Sequence, residues 1–284
     1  FYFTDKPITG YGALEHSYSS FYFMPERTLE QMKQQLRDFA AHEFFHIVTP
    51  LTIHSHEIEN FDFNDPKMSK HLWLYEGMTE YFAGNVQVRG GIITAEQYLE
   101  VIRGKMTTSQ TLYKDDLPFT ELSSKALGEH ERQYGNVYQK GALIGMCLDI
   151  QLRKHSNGEY GVRNMVLDLS KKYGKQAAFD DNELFAQITK MTYPEIGDFF
   201  KKYVEGGEKL PYAEVFNLVG VGYIPEEKYR DVSNGLEPRA LSFAKVPEKE
   251  DKPFLIINNP DVLNDQGKAL GFKKGDLLVS INGE

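Results

Sequence analysis

The 284-residue chain has one cysteine, Cys147, which excludes an internal disulfide. That thiol lies in the apolar stretch GALIGMCLDI, where an inert core cysteine is the expected reading. No apolar run approaches the length needed to span a bilayer. Basic residues are in the minority, 32 Lys and Arg against 41 Asp and Glu, for a net charge of −9. With no Lys/Arg cluster to offset that balance, a nucleic-acid surface is argued against. Internal repeats and low-complexity tracts are also missing. What remains is a globular chain with room for one large domain or two smaller ones.

The chain reads as α+β, helices first and strands last. It opens without a methionine in the strand-like FYFTD, which points to an excerpt from a longer protein, any signal peptide lying upstream of Phe1. Apolar periodicity predicts helices over 26–48, 68–89, 95–112 and 132–155, then shorter ones over 160–173, 182–191 and 195–204. From about Tyr223 proline and charge enter, followed by short β-type runs, FLIINN and LLVSINGE, around a KKGD turn. A linker over 223–250 between a helical domain (1–222) and a small β unit fits this texture.

The stretch AAHEFFHIV carries the chemistry. On the first long helix the apolar positions Leu29, Met32, Leu36, Ala40 and Ile47 predict an inward face, and Glu43 falls in line with them. A buried carboxylate is costly unless a charge or hydrogen-bond donor meets it. His42 and His46, four apart, project from one side of a helix and can bind one Zn²⁺. Glu43, beside the first histidine, points where the attacking water sits and can take its proton. The third ligand does not come from a histidine six residues on, since Thr49 and Thr52 occupy the glycine and histidine positions of that pattern. The other route is a glutamate from the next helix, where HLWLYEGMTEYF offers Glu76 and Glu80 one turn apart. If one ligates the metal, the other can hydrogen-bond a ligand histidine. His54, His56 and His71 are competitors, the first two expected in a solvent-facing loop.

HEFFH followed by LWLYEGMTEYF resembles the M61 family of metallopeptidases, the glycyl aminopeptidases, within the thermolysin-like zincins with a glutamate third ligand (gluzincins). The family pattern falls on His42, Glu43, His46, Trp73, Glu76, Gly77, Thr79 and Tyr81. YGALEH at 11–16 is similar to the family's G-G-L-E-H strand, VYQKGALIGMCLDIQLR to its Y-x-K-G helix, and residues 199–223 to its closing segment. The resemblance implies one zinc held by His42, His46 and Glu76, with Glu43 as base and Glu80 hydrogen-bonded behind a ligand. It implies Tyr138 as the transition-state tyrosine. It also implies substrate pairing with the backbone of Gly12 and Ala13, and Glu15 receiving the substrate's α-ammonium. Residues 1–24 would be the remnant of a β lobe.

Two stretches depart from the family. VTPLTIHSHEI replaces a basic V-K-R-I-R-P run, and Ser17 and Tyr18 replace Arg-Asn, so glycine preference is not carried over. Residues 223–284 resemble the start of a PDZ-like domain, through ALGFKKGDLLVSING, cut before its last helix and strand. The expected function is zinc-dependent removal of N-terminal residues from a peptide or protein substrate. The alternatives are a zinc endopeptidase, a non-peptidase zinc hydrolase, and a non-catalytic PDZ-like peptide binder. A bacterial periplasm or envelope is the expected location. Oligomeric state is left open.

Overall fold

The computed structural model describes residues 1–8, 10–62, 64–225, 243–245, 255–257, 269 and 271–278. By internal contacts the chain divides into Phe1–Tyr223 and Ile224–Glu284. The first unit begins with three strands, β1 (Tyr2–Thr4), β2 (Gly12–His16) and β3 (Ser19–Pro25), in the order β1-β3-β2. β1 runs parallel to β3 and β2 antiparallel, with Ala13 opposite Tyr22 and Glu15 opposite Ser20. Strand alternation therefore puts Ala13, Glu15 and the buried Tyr22 on one face, and the exposed Leu14 and Phe21 on the other. β2 lies at the sheet's edge.

Helices follow: α1 (Leu29–Phe45), α2 (His56–Glu59), a π-helical segment (Trp73–Gly77) running into α3 (Met78–Arg89), α4 (Ala95–Leu112), α5 (Phe119–Ser124), α6 (Asn136–His155), α7 (Val162–Lys172), α8 (Leu184–Met191), α9 (Pro194–Tyr203) and α10 (Tyr212–Leu218). α1 starts where Thr28 accepts from the Gln31 N–H and Gln31 returns the bond to the Thr28 N–H. It is shorter at both ends than the periodicity predicts. That explains why Leu29 and Ile47, expected inward, are 73% and 51% exposed. Leu29 opens the first turn with no helix before it to cover, and Ile47 lies in the turn beyond the last residue.

α6 is the central element. Val137, Leu143, Ile144, Cys147, Leu148 and Leu152 are all fully buried, and the helix packs on the π segment, α3, α4 and α9. Cys147 sits in the core as expected, and burial pushes its thiol pKa up. The predicted helix over 68–89 is corrected. Residues 68–71 are not helical, because Asp181 binds the Ser69 hydroxyl and the Lys70 N–H, and the π turn begins only at Trp73. α5 and α10 were not foreseen; at six and seven residues they are too short to show a period. No described helix is long and apolar enough to cross a membrane.

In the second unit the described residues form an antiparallel sheet of β4 (Phe243–Lys245), β5 (Leu255–Ile257) and β6 (Leu277–Leu278), in that order. Before β6 the Lys273 N–H donates to the Asp276 carboxylate in a turn bounded by Gly271 and Gly275, both at positive φ. Most of the stretch read as PDZ-like lies outside the described residues.

Candidate metal and peptide site

Three elements meet at the site. α1 carries His42 and Glu43 and ends at His46, whose φ of −61° keeps the helical register of its partner. The π segment carries Glu76, and α3 carries Glu80. π turns are rare and concentrate at functional sites. This one is fixed by tertiary bonds: the Tyr75 hydroxyl accepts from the Ser55 N–H, and the Trp73 indole donates to His71 Nδ1. His71 in turn donates from Nε2 to the Asp181 carbonyl, so both its nitrogens are used in holding the chain. His54, expected to face solvent, is buried and bonds the Pro50 carbonyl through Nδ1, because the loop after Pro50 folds under the core. His54, His56 and His71 belong to none of the side-chain clusters that could hold an ion among the described residues.

The side chains of His42, His46 and Glu76 do form such a cluster. His42 Nε2 is 3.1 Å, and His46 Nε2 3.6 Å, from one oxygen of Glu76. The other nitrogens are tied off. His46 Nδ1 donates to the Thr49 carbonyl at 2.9 Å, and His42 Nδ1 lies 2.8 Å from Glu80. A carbonyl can only accept, so His46 carries its proton on Nδ1 and turns the Nε2 lone pair toward Glu76. Two imidazole nitrogens aimed at one carboxylate oxygen, with outer nitrogens anchored, is a donor set suited to zinc. Burial alone would lower the His42 pKa, but the bonds and charges of Glu76 and Glu80 overcome it and push it up to about 10. Burial likewise opposes ionisation of Glu80, yet the bond to His42 and the Lys105 charge pull it to about 2.

Glu43 is 7% exposed, and its Oε2 has no hydrogen-bond partner among the described residues. Burial raises its pKa, opposed by the charges of His46 and His42. Glu15 reaches the same place from β2: carboxylate oxygens of Glu15 and Glu43 and a nitrogen of His46 lie within 4.8 Å of one another. Gly12 and Ala13 stand on the free edge of β2, and a Cβ added at Gly12 would meet open space. The Tyr138 ring lies 5.7 Å from that of His42, and burial raises the phenol's pKa. His42, His46, Glu76, Glu80, Glu43, Glu15 and Tyr138 thus lie near one another, and Gly12 and Ala13 lie on the strand that carries Glu15.

Two residues were missed. The Tyr134 hydroxyl is 3.4 Å from that of Tyr138, and Lys105 of α4 binds Glu80 at 2.7 Å. Tyr134's spacing of four before Tyr138 was a signal. Lys105 had none, being one of several polar residues on an amphipathic helix.

Residues 35–144, which span all the donors just described, match the M61 glycyl aminopeptidase family. Glu15 and the β2 edge lie outside the M61 match. Among solved structures, the chain is similar to an aminopeptidase N family protein from Idiomarina loihiensis, with a TM-score of 0.65 and 24% identity over 73% of this chain. It spans 38% of that protein's length, and the likeness is one of fold. No curated protein matches the chain.

Proposed function

We propose that the chain is the catalytic part of a zinc-dependent aminopeptidase. The observation that carries this reading is the convergence of His42 Nε2, His46 Nε2 and a Glu76 oxygen, each imidazole anchored through Nδ1. When bound there, zinc would polarise the scissile carbonyl and lower the pKa of a water to about 7.

The chain's own residues supply the rest. Glu43 Oε2, buried and unpartnered, accepts the proton of the attacking water and returns it to the leaving amine. The Tyr138 hydroxyl, kept protonated by burial, donates to the oxyanion that develops on the carbonyl. An extended substrate adds as a strand to the free edge of β2 at Gly12 and Ala13. Glu15 shares its part of the cleft with another carboxylate, Glu43, and a free α-ammonium between them relieves that repulsion.

The testing experiment measures zinc per chain and hydrolysis of aminoacyl p-nitroanilides, with and without chelator. One zinc per chain and chelator-sensitive release support the reading. Turnover of N-acetylated peptides at internal bonds, as fast as of free-amine ones, would make the protein an endopeptidase instead. Zinc without any peptide cleavage would point to another zinc hydrolase.

A further inference from the structure

We infer that Lys105 is a positioning residue for the metal site, acting through Glu80. The inference rests on the zinc reading above. Lys105 Nζ donates to Oε1 of Glu80 at 2.7 Å, while Oε2 of the same carboxylate is 2.8 Å from His42 Nδ1. His42 Nε2 then faces Glu76 at 3.1 Å. Four elements are thereby joined in one line: α4, α3, α1 and the π segment.

A glutamate held at one oxygen can swing about its terminal torsion. Held at both, its carboxylate plane is fixed, and so is the ring it bonds. Glu80 has room to move. Lys105 and Glu80 together border a cavity of about 520 Å³, also lined by Gln34, Asp38, Gln87 and Tyr98. The amide N–H groups of Gln34 and Gln87 are already engaged there, both bonding Asp38, at 2.9 and 2.8 Å, so they do not substitute for Lys105 in holding Glu80 Oε1. The pair is not an exposed one of the kind that contributes little: the Lys105 side chain is 12% and that of Glu80 25% accessible. Among the described residues Lys105 makes its hydrogen bond and ion pair to Glu80 and none to His42, His46 or Glu76. Its effect must pass through the His42 ring.

The test uses the full chain with zinc alone, its affinity read by competition with a chromophoric chelator. Lys105→Met should weaken zinc binding by about 10-fold, at the low end for an outer-shell partner. Lys105→Arg, which keeps the charge-assisted bond, should restore most of it. In a Glu80→Gln background, Lys105→Met should add little, because its route to the metal is already cut. The absorption spectrum of the Co²⁺ form should shift in Lys105→Met and not in Lys105→Arg. Helical content of the metal-free variants is compared by circular dichroism; if Lys105→Met is unfolded, Lys105→Gln takes its part in the same comparisons. Unchanged zinc affinity in Lys105→Met, or losses that simply multiply with Glu80→Gln, would overturn the inference. Zinc affinity left unchanged by His42→Ala would overturn the zinc reading itself.

Discussion

The backbones of Gly77 and Gly141 touch. A Cβ on Gly141 would lie 2.8 Å from the Gly77 Cα, and one on Gly77 would run into the Gly141 backbone. The crossing seats the π segment on α6, and so sets Glu76, just before Gly77, against Tyr138, less than one turn before Gly141. Gly141→Ala must push the two apart. Overpacking of this kind costs about 1–3 kcal/mol. We expect a lower urea midpoint in the metal-free protein together with weaker zinc binding. Lower stability at unchanged zinc affinity would confine the contact to packing.

Glu43 stands apart from the donor set, with a buried oxygen that no group of the described residues satisfies. Glu43→Gln keeps the shape and removes the base. The variant should retain its zinc, by metal analysis, and lose hydrolysis. Loss of metal, or retained turnover, would count against the role.

How legible each part was depends on what fixes it. The His42–Glu43–His46 spacing is a property of any helix, and it was readable. The π turn was not, because LWLYEGM, apolar but for Glu76 and Gly77, shows no period of its own, and its geometry comes from Ser55, from Asp181 acting through His71, and from the Gly77–Gly141 crossing, all distant in sequence. Leu29 and Ile47 were misread because a period carries no information about where a helix ends. His54 was misread because loop position alone does not report burial. Lys105 lies on a helix whose limits the period predicted in full, yet its partner is on another element and no pattern within α4 marks it.

Tyr138 and Tyr134 share a hydroxyl contact at 3.4 Å, with ring centroids 5.8 Å apart. If Tyr138 donates to the oxyanion, its oxygen lone pair is free to accept from Tyr134. Tyr138→Phe should lower kcat by about 10²–10³ with KM little changed, the usual loss for one such donor. Tyr134→Phe should cost less and add nothing to Tyr138→Phe. Steady-state kinetics of the double-mutant cycle check this, and independent effects would mean that the two phenols do not act together.

Zinc uptake should be proton-linked. In the metal-free protein Glu76 and Glu80 hold the His42 imidazole protonated up to a pKa of about 10. Zinc needs the neutral ring, so binding releases that proton at any lower pH. Zinc affinity should therefore climb with pH between 7 and 9, by about tenfold per unit for one displaced proton. Calorimetry at pH 8 in buffers of different ionisation enthalpy should count about one proton released. A pH-independent affinity would remove His42 from the donor set.

The end of the peptide that is read turns on Glu15. Its carboxylate arrives from β2, shares an inward face with Ala13 and Tyr22, and lies by Glu43 and His46. Two carboxylates this close repel, and among the described residues His46 and His42 are the charges that offset this at Glu43. A substrate's α-ammonium can do so too, and on the proposed reading an incoming strand paired with the edge of β2 delivers it. In that geometry the scissile bond follows the first residue, since a Glu15 carboxylate oxygen within 4.8 Å of a His46 nitrogen leaves no length for a second residue, which spans about 3.3–3.6 Å by itself. Removing the carboxylate should then hurt free-amine substrates alone. We expect Glu15→Ala to lower kcat/KM for aminoacyl p-nitroanilides by about 10²-fold, on the scale of truncating one partner of a buried charge pair. Cleavage of N-acetylated analogues, slow in the wild type, should stay nearly unchanged. Equal losses on both substrates would make Glu15 a general support of the cleft and leave the choice of peptide end to another group.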